Sequence, residues 1–147
     1  MKTSYHLKKN RGFTLIELMV SVCIMAIAFA GLATMQVACI NGNSVASNLT
    51  TGVTLAQDKL EELNSLDYND PLLADINTGN NSSLDDYSNY DYKEEDIGSQ
   101  GEAGGMYTRI YNVADNTPIT GRKTVVVIVT WQGHSVRVAS IIGAPYS

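Results

Sequence analysis

The sequence predicts an α+β protein: one long amino-terminal helix packed on a small carboxyl-terminal antiparallel sheet. Three observations predict it. An apolar run from Phe13 to Ile40 carries one formal charge, Glu17. A stripe of apolar residues at helical spacing follows it as far as Leu63. The last third holds β-branched runs separated by turn residues. The 147 residues allow one ordinary domain and little more.

Residues 1–12 form a short basic segment. Lys2, Lys8, Lys9 and Arg11 are four of the ten basic residues and precede every acid. The whole chain has a net charge of −5; without these four, six basic residues face fifteen acidic ones, a net of −9. That balance excludes a basic nucleic-acid footprint.

Residues 13–40 read as a transmembrane or filament-core helix. Leu18 to Ile40 would span roughly 35 Å, enough for a bilayer core. Basic residues before it, and none after it until Lys59, keep the amino end cytoplasmic and send the remainder across. A cleaved secretory signal would have a shorter apolar core. A lipoprotein signal would use Cys39, but Gln36 sits where an aliphatic residue is wanted. A plain anchor leaves Glu17 unexplained, since a carboxylate in apolar surroundings usually has a functional partner. Cys23 and Cys39 would lie about 24 Å apart on one helix, too far to bond within the chain. Neither belongs to a haem-attachment motif.

The residues Arg11-Gly12-Phe13-Thr14-Leu15-Ile16-Glu17 resemble the processing site of class III signal peptides in type IV pilins and type II secretion pseudopilins. The resemblance implies a pilin fold. It also implies that a prepilin peptidase cuts between Gly12 and Phe13 on the cytoplasmic side and N-methylates Phe13. Glu17 becomes the fifth mature residue, the family's acidic position, which sets subunit register by pairing with a neighbour's terminal amine. Gly12, lacking a side chain, lets the backbone extend into a protease cleft.

Ala28 to Gln36, with its GLATMQ run, resembles the same stretch of PilV-type minor pilins, and its Ala and Gly residues suit close helix packing. Major pilins commonly carry Pro at the position occupied here by Thr34, which argues against a major filament subunit.

Residues 41–66 continue the helix as an amphipathic second half. Val45, Leu49, Val53, Ala56, Leu60 and Leu63 supply the stripe, while Lys59, Asp58, Glu61 and Glu62 decorate the other side. Gly52 weakens this helix. Thr54 to Leu63 resembles the helix end of PilV-type pilins and of the I-type pseudopilin.

Residues 67–105 form an acidic, Tyr- and Asn-rich region that reads as a long surface loop, partly disordered alone. Asp85-Asp86 and Glu94-Glu95-Asp96 are oxygen-rich enough to suggest calcium, with a solvated acidic loop as the plainer reading. Tyr87, Tyr90 and Tyr92 suit either an interface or cover for the domain's own sheet.

Residues 106–147 are expected to be antiparallel sheet. Met106 to Ala114 places Tyr107, Arg109, Tyr111 and Val113 on one face. Thr117 to Gly121 is a turn, Lys123 to Trp131 a central strand, Gln132-Gly133-His134 a tight turn, and Ser135 to Ile142 the return strand. Trp131 is expected to pack on the helix or the rim. The pattern of residues 124–138 again resembles the PilV-type end.

No nucleophile or base constellation accompanies His6 or His134, so no enzyme, metal or cofactor is expected. The resemblance implies a minor pilin in a tip or priming complex. Its partners would be prepilin peptidase, other minor pilins, the major pilin, the inner-membrane assembly platform and the membrane. It would reside in the inner membrane with a periplasmic head, then at or near the pilus tip. The I-type pseudopilin is the first alternative, and a membrane- or lipid-anchored binding protein the second.

Overall fold

The computed structural model describes residues 12–144; the basic segment containing Lys2, Lys8, Lys9 and Arg11 lies outside the described residues. Helix α1 runs from Leu15 to Asn64 without interruption. Contacts divide the chain into two units, Met1–Ser44 and Val45–Ser147.

In the first unit every described residue is exposed, including Phe13, Leu15, Ile16, Ile27 and Ile40. Among the described residues of this unit none is buried, so length and apolarity define this segment. It is long and apolar enough to cross a membrane. The Ser21 hydroxyl donates to Glu17 O at 2.7 Å and that of Thr34 to Gly31 O at 2.8 Å. These bonds satisfy the helix's hydroxyls internally, as an apolar medium requires. Asn41-Gly42-Asn43 does not break the helix. Cys23 and Cys39 are free and exposed.

The second unit contains the carboxyl-terminal part of α1 and a four-stranded antiparallel sheet in the order β1-β2-β3-β4. The strands are β1 (Tyr92–Ile97), β2 (Tyr107–Asp115), β3 (Arg122–Trp131) and β4 (His134–Gly143). One-turn 3-10 helices at Pro71–Leu73 and Thr78–Asn80 lie between helix and sheet. The fold is thus the expected helix-on-sheet α+β arrangement.

The period of the helix stripe matches the expectation, but its phase does not. The buried line is Gly52, Leu55, Ala56, Lys59 and Leu63, while Val45 and Leu49 are exposed and Val53 and Leu60 only half-buried. Gly52 explains the rotation. A Cβ built there would stand 2.7 Å from Cζ3 of Trp131, so the indole seats on a position without a side chain. This glycine is a contact point, not a weakness in the helix.

Across from that line lie Tyr107, Tyr111 and Val113 of β2 and Val125, Val127, Val129 and Trp131 of β3, at the period of two that one sheet face demands. The opposite face carries Ile110, Val126 and Ile128, covered by Leu84. Strand β3 is therefore buried on both sides, which is why its Val125–Val129 run is continuous rather than alternating.

Two expectations are corrected here. Residues 92–97, assigned to the surface loop, form edge strand β1, paired to β2 through Tyr92↔Tyr111 and Glu94↔Arg109. Their sequence, YKEEDI, has no apolar alternation; cross-strand pairing holds them extended. His134 is not in the turn. It pairs with Trp131, leaving a two-residue turn at Gln132-Gly133 with φ of 43° and 80°. Two successive positive φ values are what a type I′ hairpin needs.

Candidate assembly surfaces

At the amino-terminal end, Gly12, Phe13 and Thr14 precede the first turn of α1. Thr14 is followed three residues later by Glu17, the pattern of a capping box. The Glu17 amide donates to Thr14 Oγ1 at 3.3 Å. In return Glu17 Oε2 accepts long, 3.4 Å bonds from the Thr14 amide and hydroxyl. The carboxylate also lies at the positive end of the helix dipole. Thr14 was missed as a site residue, although the T-x-x-E signal is legible in the sequence. Phe13 is 88% exposed, and a Cβ at Gly12 would meet nothing within 4 Å. Gly12 and Phe13 are thus both exposed. Among the described residues Glu17 makes no ion pair.

The head presents a different surface. Among the described residues no three or more of its His, Cys, Asp and Glu side chains come together in one group. Glu94 pairs with Lys59 at 2.9 Å and accepts from Arg109 Nε at 2.7 Å. Glu95 pairs with Lys93, and Asp85 with Arg137. Asp86 accepts the Ser88 amide and hydroxyl, which hold its carboxyl below the ordinary range. Glu94, Glu95, Asp85 and Asp86 thus each have a separate partner within the head.

The Glu94 network joins helix to sheet. Lys59, expected on the outer face, is buried; it also contacts Glu62 at 3.0 Å and lies 5.5 Å from the Tyr111 ring centroid. Arg109 Nη1 donates to Leu55 O at 3.0 Å. Burial opposes ionisation of Glu94, but hydrogen bonds and charge from Lys59 and Arg109 outweigh it and lower its pKa. Tyr111 is pushed well above the ordinary phenol range, first by burial and then by Tyr92, Glu94, Glu62 and Asp91.

A second network fastens the loop. Asp91, buried, accepts the amides of Ile76 at 3.0 Å, Asn77 at 2.7 Å and Val113 at 2.8 Å. Asn112, fully buried on β2, accepts the Asp91 amide at 3.1 Å and donates to Leu84 O at 2.7 Å. The acidic loop is thus clamped on the outer sheet face. Of the three tyrosines, Tyr92 stacks on Tyr111 at 4.5 Å and serves the fold. Tyr87 is 68% exposed and remains available for an interface. Trp131 packs inward, tilted against Tyr107 at 5.7 Å, and is 3% exposed.

Residues 7–33 match the family model described as the prokaryotic N-terminal methylation motif. No curated protein and no solved structure matches the chain. The motif supports a prepilin-like pilin or pseudopilin, processed by prepilin peptidase and associated with a membrane through its apolar helix.

Proposed function

We propose, from that motif, that this chain is a minor pilin of the PilV type that helps prime type IV pilus assembly. The observation that carries the proposal is the juxtaposition of an exposed Gly12–Phe13 pair, Glu17 in the first turn, and an apolar helix exposed along its described residues 15–44. Hydrolysis at Gly12–Phe13 releases the basic segment and leaves an ammonium on Phe13, which is then methylated. Glu17 rests in a weak 3.4 Å box with Thr14. A neighbouring subunit's terminal ammonium offers a charged partner, which offsets the cost of burying the carboxylate in a filament core. That exchange gives each new subunit a register. The exposed helix supplies the packing surface, and the acidic head with Tyr87 faces other minor pilins.

The I-type pseudopilin remains the second reading, favoured by the Thr54–Leu63 helix end. An anchored lipoprotein is disfavoured because Cys39 lies inside an unbroken helix. Mass spectrometry of the mature chain tests the proposal. A methylated Phe13 terminus is expected, lost in Gly12→Val; a diacylated Cys39 or an uncut chain refutes it. Deleting the gene and scoring pili against secreted proteins then separates pilus from secretion roles.

A further inference from the structure

At the β3–β4 hairpin end of the sheet, the outer face carries a row of hydroxyls. Ile110 and Ile128 mark that face, and the period of two brings Thr108 and Thr130 to it. The register sets Thr108 beside Thr130, and Thr130 beside Ser135. Three hydroxyl side chains therefore cross β2, β3 and β4 in line. They line one open cavity of about 350 Å³, together with Tyr87, Met106 and Gln132. Among the described residues no Asp, Glu, Lys or Arg lines it, although the head around it is acidic.

Tyr87 is 68% exposed, yet its segment is fastened on both sides. Asn112 Nδ2 donates to Leu84 O at 2.7 Å and to Asp86 O at 3.4 Å. Asp85 pairs with Arg137 of β4. Asp86 Oδ1 accepts the Ser88 amide at 2.9 Å, which closes a turn with Tyr87 at its apex. The two carboxylates that precede Tyr87 are thus engaged with partners of their own. A large ring held in place beside a cavity loses little freedom when a ligand meets it.

We propose that this cavity is a binding site for a neutral sugar, lying against Tyr87 with its hydroxyls toward Thr108, Thr130 and Ser135. Hydroxyl side chains both donate and accept, as sugar hydroxyls do. The C–H face of a pyranose is apolar and suits an aromatic ring. A lining without Lys or Arg offers nothing to a phosphate or a carboxylate, which such charged donors recognise. The volume lies at the small end of ligand sites, so it fits a monosaccharide or the terminal residue of a glycan. Half-saturation at roughly 1–10 mM is expected for so small a ligand. The site belongs to the head alone and goes beyond the assembly role proposed above. A neighbour packed on Tyr87 would cover it, so binding is read on the free chain.

The test uses the full chain in micelles of a detergent without a sugar headgroup. Saturation-transfer NMR is recorded with glucose, galactose, mannose and N-acetylglucosamine in turn. Saturable transfer to at least one of them is expected. Tyr87→Ala weakens it roughly ten-fold, whereas Tyr87→Phe, which keeps the ring, stays within about two-fold of wild type. Thr130→Val, which removes one hydroxyl at nearly constant volume, weakens it several-fold. Melting temperatures of the three variants show that each is folded when tested. No saturable transfer from any of the four sugars up to about 50 mM overturns the proposal. So does wild-type binding in Tyr87→Ala, or equal binding of the carboxylated sugar glucuronic acid.

Discussion

Replacing Lys59 by Met removes one ammonium from the helix–sheet junction and keeps most of the apolar stem. The Lys59 side chain is 7% exposed and faces Glu94 at 2.9 Å and Glu62 at 3.0 Å. Breaking a fully buried pair costs about 3–5 kcal/mol. Here Glu94 is 36% exposed and retains Arg109, so solvent and the second cation take up part of the loss. The expected cost is about 2 kcal/mol, with part of the ion-pair value screened away. For a head of this size that lowers the melting temperature by roughly 10 °C. Trp131 is the sole tryptophan and packs on Gly52, so its emission in a urea titration reports loss of that junction. The double variant Lys59→Met/Glu94→Gln isolates the pair, with a coupling of about 1 kcal/mol expected. A Lys59→Met chain within about 0.5 kcal/mol of wild type, or strict additivity with Glu94→Gln, would refute the reasoning.

Three further outcomes follow from the same structure. Gly52→Ala puts a methyl 2.7 Å from Trp131; overpacking of about 1–3 kcal/mol exceeds the roughly 1 kcal/mol gained in helix propensity. The variant should melt lower with red-shifted Trp131 emission, and equal or greater stability would count against the contact. Asn112→Ala removes the clamp on the Asp91 amide and Leu84 O; a loss of about 3 kcal/mol is expected from the unsatisfied groups. Amides of residues 84–91 should then exchange faster than those of β3, whereas uniform exchange would show that the clamp is not local. Glu94 has a folded pKa below its ordinary 4.5, so the unfolded chain takes up that proton first. Its contribution is present above pH 4.5 and is lost as pH falls through the lowered value. Stability measured on descending through that window should fall more steeply in wild type than in Glu94→Gln; parallel curves would exclude this carboxylate as a cause.

Much of the architecture was legible because its signals are local. The charge gap of residues 13–40 needs only a count. Strands β2 to β4 need only apolar and β-branched runs and a Gly-containing turn. The motif at residues 7–33 belongs to this class: its residues are adjacent in sequence, so Gly12, Phe13 and Glu17 are readable without coordinates. Strand β1 was not, because YKEEDI reads as solvated loop until Arg109 and Tyr111 supply partners across the sheet.

The sequence by itself determined the long apolar helix, the basic amino-terminal segment, the acidic head and the helix-on-sheet order, since each follows from composition and periodicity along the chain. Only the tertiary structure decided which line of the helix faces the sheet and what the acids do. Gly52 and Lys59 look like a flaw and a surface charge in one dimension. In three, the glycine seats Trp131 and the lysine neutralises Glu94. The reason is physical: periodicity sets how often side chains return to one face, but steric fit and charge partners contributed by distant residues select the face that is buried.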